Sequence, residues 1–277
     1  MGLILVPTPL GNLRDITLRA LDTLRDCDVI VAEDTRVARR LLSALGLPSK
    51  PLWSYREQNA AAVTAAILAR AAAESVALLC DAGTPAIADP GRELVAAARA
   101  AGIAVEALPG PTAFVSAAVL SGFDLRGFSF EGFVPRAQGE RERRLRGALE
   151  RGATSVWYEA PSRIGATLAA LAAFAPKAQV FLARELTKLH EQQISGTPAE
   201  VAALLPQPVR GEIVFVLAGA APEVTAPSAD AADAEIDRAL LAGASLPDVA
   251  RELARRGFGS RAELYRRAAE RRADAKR

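Results

Sequence analysis

Several apolar runs of this sequence end in short segments of aspartate, threonine, glycine and proline, which are residues that could shape a binding site. The run SVALLC is followed directly by DAGTP, which contains Asp81, Gly83 and Thr84. Glycine tolerates positive φ and lets another group approach the backbone, whereas proline fixes a turn. The Asp81 carboxylate could accept hydrogen bonds from hydroxyl groups or face a cation, and Thr84 offers a hydroxyl. We expect Asp81 to be functional and Asp89 to cap a helix that begins near Pro90.

A second apolar run ends in PGPT, where Pro109, Gly110 and Pro111 predict a rigid turn that opens a helix. The first backbone amides of a helix are unpaired and could hold a phosphate. A tight turn without a ligand accounts for the same residues. The chain contains neither GxGxxG nor GKS/T, which excludes a Rossmann dinucleotide site and a P-loop.

Two more apolar runs end in PTPLGN and in AEDTR. The second contains Glu33 and Asp34, which could act as a pair of acids. Asp34 is equally suited to cap a helix that begins near Arg36, and we favour the cap.

The cysteine and histidine content excludes several classes of site. Cys27 and Cys80 form no disulfide framework, and the lone histidine, His190, excludes multi-histidine metal ligation, so we expect no metal. No run approaches the roughly 20 apolar residues of a membrane helix, and the segment MGLILVPTPLGN reads as a first strand without a basic leader. We therefore expect a cytoplasmic protein without a membrane partner.

The formal net charge of +2 conceals two basic segments. Residues 136–151 contain six arginines and three glutamates, and residues 251–277 contain ten basic and four acidic residues, so together they hold +9 and the remainder −7. This asymmetry favours a polyanionic partner, although each segment alone could be a solvated helix face.

The elements that position these loops alternate between short β-branched runs and longer helical patterns, which is typical of an α/β protein with a parallel sheet. The alternation restarts near residues 120–130. We predict an N-terminal α/β domain over residues 1–120 and a C-terminal α/β domain over 121–220. A linker over 221–232 and a helical tail over 233–277 follow, and the tail pattern is similar to a helix-turn-helix.

Seven segments in this order and spacing resemble those of the tetrapyrrole-methylase superfamily, the class III S-adenosylmethionine-dependent methyltransferases: VPTPLGNLRDIT, AEDTR, CDAGTPAIADPG, LPGPTAFVSA, FEGFVPR, YEAPSR and RELTKLHE. The resemblance covers residues 3–219. Within the superfamily it points to the ribosomal RNA small subunit methyltransferase I family, which methylates a ribose 2′-hydroxyl of a decoding-centre cytidine in 16S rRNA. It implies an S-adenosylmethionine cleft between the two domains and a homodimer that acts on the small ribosomal subunit.

The resemblance also implies cofactor contacts. They fall at Leu10, Asp81, Gly83, Thr84, Thr112, Ala113, Tyr158 and the backbone around Ala218 and Gly219.

Methyl transfer requires the 2′-oxygen to be held in line with the methyl carbon, and a nearby proton acceptor helps. Glu57, Glu159 and Glu185 are candidate acceptors, and we predict Glu159 and Glu185 as catalytic without assigning the base. Lys188 would hold a phosphate or stabilise an alkoxide, although an exposed ion pair between Glu185 and Lys188 remains open. The expected RNA contacts are the tail arginines and Arg136, Arg141, Arg143, Arg144 and Arg163.

The chain departs from the family pattern at three histidines. Where the family often has Tyr-His-Glu-His-Asn, this chain has Arg56 and Gln58 in place of the histidines, and Ser162 replaces the histidine of YEAPHR. A histidine base at these positions is excluded, and contacts to RNA there must differ.

Two other functions fit the same features. One is a methyltransferase of the same fold that acts on a tetrapyrrole precursor, against which the arginine-rich segments argue. The other is a ribosome assembly factor without catalysis, which binding of S-adenosylmethionine would distinguish.

Overall fold

The computed structural model describes residues 1–219 and 229–274. The chain divides into two compact units, residues 1–219 and 220–277. The first unit contains two five-stranded sheets. None of the described helices is both long enough and apolar enough to cross a membrane.

The first sheet is entirely parallel, with the strand order β3-β2-β4-β1-β5. Its strands are β1 (Gly2–Leu5), β2 (Val29–Ala32), β3 (Leu52–Ser54), β4 (Ser75–Leu79) and β5 (Val105–Ala107). Its helices are α1 (Leu18–Asp26), α2 (Thr35–Ala44), α3 (Ala60–Ala73) and α4 (Arg92–Ala100). Alternate residues of the strands enter two separate cores, so the strands are apolar on both faces.

The second sheet is mixed, with the order β6-β7-β10-β8-β9. Its strands are β6 (Ser129–Phe133), β7 (Ser155–Glu159), β8 (Val180–Arg184), β9 (Gln192–Gly196) and β10 (Ile213–Leu217). Only β6 and β7 pair in parallel, and β10 runs antiparallel between β7 and β8. The predicted parallel arrangement is therefore correct for the first sheet and wrong for most of the second.

Helices cover both faces of the second sheet. They are α5 (Ala113–Ser121) on one face and α6 (Gln138–Glu150), α7 (Ile164–Phe174) and α8 (Pro198–Leu204) on the other. The buried Trp157 and Phe215 rings stack on the face covered by α6 to α8. Because α5 packs against this second sheet, residues 113–121 link the two halves of the unit.

Two helix starts test the predicted caps. Asp34 caps α2, because its side chain accepts a hydrogen bond from the Arg36 amide, which confirms the predicted cap. The predicted cap at Asp89 is wrong, since α4 begins at Arg92 and its N-cap is Gly91 at φ 143°. Only glycine adopts that backbone conformation readily, so the turn is set by Gly91 and the Asp89 side chain is left for another role.

The second unit is a bundle of three helices: α9 (Ala229–Leu241), α10 (Leu246–Arg255) and α11 (Arg261–Asp274). Ile236, Val249, Leu253 and Leu264 are among the residues of its core. Helix α9 begins inside the predicted linker, whose residues 221–228 lie outside the described residues. The predicted helix-turn-helix thus corresponds to α10 and α11, to which α9 adds a third helix.

Candidate functional site

A cavity of about 310 Å³ lies between the two sheets of the first unit. Its volume falls in the range of small-molecule sites. Six segments contribute to its wall: the loops after β1, β4 and β7, the end of β6, the start of α5 and the start of β10. It is lined by Leu10, Asp81, Ala82, Gly83, Thr84, Ile87, Ala88, Asp89, Thr112, Ala113, Phe133, Tyr158, Glu159, Ala160, Pro161, Gly211, Glu212, Ile213 and Val214.

The loop after β4 is fixed to the loop after β1. Thr8 and Gly83 exchange two backbone hydrogen bonds of 2.9 Å, and the Thr8 hydroxyl donates to the Cys80 carbonyl at 3.3 Å. Gly83 has φ 82°, and a Cβ atom there would lie 3.1 Å from Leu10 Cδ2. The backbone conformation therefore favours glycine, as the sequence predicts, and a side chain at this position would have to displace Leu10.

A pair of threonine hydroxyls joins this loop to the start of α5. Thr84 Oγ1 lies 2.7 Å from Thr112 Oγ1 and donates to the Pro111 carbonyl at 3.0 Å. Thr112 is the N-cap residue of α5, and its side chain makes no capping hydrogen bond. The Thr112 side chain therefore makes no capping hydrogen bond to the first backbone amides of α5, and these amides lie beside the cavity.

An aromatic cluster forms the opposite wall. Phe133 and Phe130 make edge-to-face contacts with Tyr158, at 5.5 and 5.0 Å between ring centroids, and Phe114 stacks on Phe130. Phe133 remains 54% exposed at the rim. Burial raises the pKa of Tyr158 to about 12, so its hydroxyl stays protonated. This wall suits a flat, apolar ligand group.

Carboxylates gather at one end of the cavity. Burial raises the pKa values of Asp81 and Asp89 in the cavity wall and of the nearby Glu33, and repulsion from neighbouring carboxylates adds to each shift. In contrast, hydrogen bonds from Arg36 hold the pKa of Asp34 well below its usual value. The region is thus an environment that favours a bound positive charge.

Seven of the predicted cofactor contacts line this cavity: Leu10, Asp81, Gly83, Thr84, Thr112, Ala113 and Tyr158. Gly219 does not. Gly219 follows the carboxyl end of β10 and packs against Gly152, since a Cβ atom built on Gly219 would lie 2.2 Å from the Gly152 carbonyl oxygen. Because β10 runs antiparallel to β7, the start of β10 and not its end faces the cavity.

Glu159 is buried and fully bonded. Its side chain is 0% exposed and accepts hydrogen bonds of 2.7 Å from the Ala160 amide and the Thr167 hydroxyl, and Arg163 Nη2 lies 2.5 Å from Oε1. Arg163 also donates to the Val134 carbonyl at 3.0 Å. The pair therefore ties the end of β7 to the start of α7 and to the segment after β6.

Glu185 and Lys188 belong to a strained loop between β8 and β9. Glu185 and Thr187 have φ values of 55° and 64°, which costs roughly 1–3 kcal/mol for each residue. Glu185 Oε1 accepts from Lys188 Nζ at 2.8 Å and from the Glu212 amide at 2.9 Å. This bonding lowers the pKa of Glu185, chiefly through Lys188. The predicted ion pair is present, and neither residue lines the cavity.

The same loop contacts the loop after β1. The Asn12 amide donates to the Thr187 hydroxyl at 3.1 Å, and a Cβ atom at Gly11 would lie 2.2 Å from Lys188 Cγ. Although burial on its own would lower the pKa of Lys188, its bonds to Glu185 and Glu212 raise it. The loop between β8 and β9 thus connects the second sheet to the first sheet close to the cavity.

The five arginines predicted to contact RNA fall into three groups. Arg144 bonds to Glu131 and lies over the Trp157 ring, and Arg163 bonds to Glu159, so these two guanidinium groups are used within the protein. Arg136 and Arg143 are exposed, and no described acidic residue pairs with them. Arg141 is half-buried beside the Arg136 carbonyl.

Sequence reasoning missed two parts of the cavity wall. Phe133 lies inside the segment FEGFVPR, and the pairing of β6 with β7 is irregular between Phe130 and Phe133, which alternation along the sequence does not predict. Residues 211–214 were missed because a parallel strand was expected to contribute its carboxyl end. The glycine at position 211 was the available signal, since a Cβ atom there would lie 2.5 Å from the Glu185 carboxyl group.

Comparison with known proteins identifies a family. The family model of Tetrapyrrole (Corrin/Porphyrin) Methylases matches residues 2–202. The chain is 39% identical over 279 residues to "Ribosomal RNA small subunit methyltransferase I" of Synechocystis sp., covering 99% of this chain and 100% of that protein. It is 42% identical over 219 residues to the protein of the same name from Thermotoga maritima, covering 78% and 98%.

Solved structures share the fold at lower identity. Uroporphyrin-III-C-methyltransferase from Thermus thermophilus matches with a TM-score of 0.55 and 23% identity, covering 79% of this chain and 94% of that one. Diphthine synthase matches with a TM-score of 0.62 and 17% identity, covering 78% and 89%.

Proposed function

The chain belongs to the tetrapyrrole methylase family, and within it to the ribosomal RNA small subunit methyltransferase I family; from this premise we propose that it methylates a cytidine ribose 2′-hydroxyl in the decoding centre of 16S rRNA. The methyl donor is S-adenosylmethionine. The observation that carries the proposal is the cavity between the two sheets, which gathers seven of the predicted donor contacts in a chain with this family membership.

The cavity fits the donor chemically. S-adenosylmethionine supplies a methyl group on a positively charged sulfur, and it also has an adenine ring and an amino group. Asp81 and its neighbouring carboxylates would attract the positive charges, and Phe133 and Tyr158 would contact the ring. The glycine at position 83 lets Leu10 pack closely against the loop that contains Asp81.

The protein would act mainly by holding the reacting groups in place. Orientation alone can lower a barrier by roughly 7–11 kcal/mol in favourable cases. The ion pair of Glu159 and Arg163 holds the segment that contains Tyr158 in place. The ion pair of Glu185 and Lys188 holds the loop after β8 in place, and Glu185 packs against Gly211. We propose that these residues position the cavity walls and do not themselves move a proton.

Contacts to ribosomal RNA would use exposed arginines. Arg136 and Arg143 on the α6 side, together with Arg261, Arg266 and Arg272 of α11, are exposed and have no ion pair with a described acidic residue. Each phosphate contact contributes roughly 0.7–0.9 to the slope of log affinity against log salt concentration, the lower value for single strands. Replacing Arg136 and Arg143 with glutamine should therefore lower the magnitude of that slope by about 1.5–2.

We also propose a cytoplasmic homodimer. Helix α5 buries Ala117 and Ala118 against the second sheet, while Val115, Val119 and Leu120 remain 44%, 65% and 44% exposed. An exposed apolar surface on a helix that packs beside the cavity fits an interface between two copies of the chain.

The proposed activity can be tested with small-subunit particles from cells that lack this gene. Incubation with S-adenosylmethionine and the protein should introduce 2′-O-methylcytidine in the decoding centre, located by mapping ribose methylation. Methylation of a tetrapyrrole precursor in place of the particles, or the absence of any heat of donor binding in calorimetry, would contradict the proposal.

A further inference from the structure

A second recess adjoins the donor cavity. It is more polar, has a volume of about 510 Å³ and shares Asp81, Ala88 and Asp89 with the donor cavity. Its other walls come from the ends of β2 and β3, including Glu33 and Arg56. The two spaces therefore meet at the loop after β4, so groups bound in each would lie next to one another.

The wall formed after β3 is held in place by its own hydrogen bonds. Asn59 Oδ1 accepts from the Arg56 amide at 2.7 Å, and Asn59 Nδ2 donates to the Ser54 carbonyl at 3.0 Å. Arg56 Nε donates to the Glu33 carbonyl at 2.9 Å. The recess is thus a formed surface with fixed donors and acceptors, which suits the polar edges of a nucleoside.

Asp89 lies where the donor cavity and the second recess meet, and its carboxylate accepts few hydrogen bonds from the rest of the protein. Glu159 has three donors and Glu185 has two. Among the described residues, the hydrogen-bond donor beside Asp89 is the weakly bonding Cys80 thiol, which also lies 3.2 and 3.3 Å from the Ala82 and Gly83 carbonyls. Burial, with the nearby charges of Asp81 and Glu212, raises the pKa of Asp89. A carboxylate in such an environment is a better proton acceptor than an exposed one.

We propose that the second recess receives the acceptor nucleoside and that Asp89 takes the proton from its ribose 2′-hydroxyl. This inference rests on the proposed function. The hydroxyl O–H bond breaks, and its proton passes to the Asp89 carboxylate. A bond forms between the 2′-oxygen and the donor's methyl carbon, and the carbon–sulfur bond breaks with its electron pair remaining on sulfur.

Asp89→Asn tests the proton acceptor. The variant should lower kcat by about 10²–10⁴-fold, while the Kd for S-adenosylmethionine in calorimetry should rise by no more than about tenfold, because Asp81 and Glu212 keep the cavity negatively charged. The wild-type kcat should fall as the pH drops through the raised pKa of Asp89, and the variant should lose this dependence. Asp22→Asn, which changes an exposed carboxylate on α1, is the matched control.

Gln58→Trp tests the recess, because it fills that space from a wall that the donor cavity does not share. It should weaken binding of the donor-free protein to small-subunit particles at least as much as it lowers methylation, with unchanged donor affinity. Asp22→Trp is its control.

The outcomes separate this inference from the function on which it rests. Near-normal kcat in Asp89→Asn, or a loss of donor affinity as large as the loss of kcat in that variant, overturns the acceptor role. Normal particle binding in Gln58→Trp overturns the nucleoside recess. If the wild-type protein methylates no small-subunit ribose, the proposed function fails before either variant is considered.

Discussion

At the scale of single residues, the surroundings of a carboxylate decide its role more than its place in a motif. Glu159 is part of a recognised motif, yet its oxygens are bonded to Ala160, Thr167 and Arg163 in a buried position. Asp89 was expected to cap a helix, and instead it lines both recesses. Hydrogen-bond partners, which the sequence does not specify, make this distinction.

Glu159→Gln should therefore act on stability more than on catalysis. The amide cannot neutralise Arg163, and removing one partner of a buried ion pair is costly, so we expect a loss of about 2–4 kcal/mol in unfolding free energy. The fall in kcat should stay within about tenfold. Thermal and urea unfolding would measure the first effect and single-turnover methylation the second.

Glu150→Gln, at the exposed end of α6, is the control for this variant. A variant with normal stability and donor affinity but a loss of kcat beyond about 10²-fold would restore Glu159 as a catalytic residue, as the sequence predicted.

At the scale of elements, three loops are locked together by residues with little or no side chain. Gly83 contacts Leu10, and a Cβ atom at Gly110 would lie 2.5 Å from Pro7 Cβ. The cavity wall therefore depends on glycine at the points where one loop crosses another.

Gly83→Ala should weaken donor binding about tenfold, because the added methyl group meets Leu10 in the cavity wall and shifts the loop. Gly46→Ala is the matched control. Gly46 also has positive φ, at 66°, but a Cβ atom there would have no neighbour within 4 Å. Both variants should lose about 1 kcal/mol of stability from backbone strain, and calorimetry should show weaker donor binding in Gly83→Ala alone. Equal donor affinities would contradict the role of this loop.

The sequence predicts helices and strands well where the apolar periodicity is strong. It predicts them poorly where contacts with neighbouring strands decide the structure. The N-terminal segment forms β1, as predicted, and the apolar run SVALLC contains β4. The strands β3 and β9 were missed, since β3 has three residues and the edge strand β9 has the polar sequence QQISG. Strand direction was also missed, because an apolar run such as IVFVL reads the same whether its neighbours are parallel or antiparallel.

At the scale of the whole molecule, contacts within one chain do not explain why α5 exposes apolar side chains on one side. Val119→Lys should shift the protein from dimer to monomer, since a lysine cannot be buried in an apolar interface without a partner. Analytical ultracentrifugation over a range of concentrations would measure the change. Leu204→Lys, which replaces a leucine of similar exposure on α8, should leave the dimer intact. Unchanged sedimentation of Val119→Lys would contradict an interface at α5.

The position of β10 has a consequence for how the chain is made. All strands of the first sheet are synthesised by residue 107, but the second sheet places its last strand at its centre, between β7 and β8. A nascent chain therefore exposes the unpaired edges of both neighbours until residues 213–217 emerge from the ribosome. Chains that terminate after β8 and before residue 213 should therefore aggregate or be degraded, because the second sheet cannot close without its central strand.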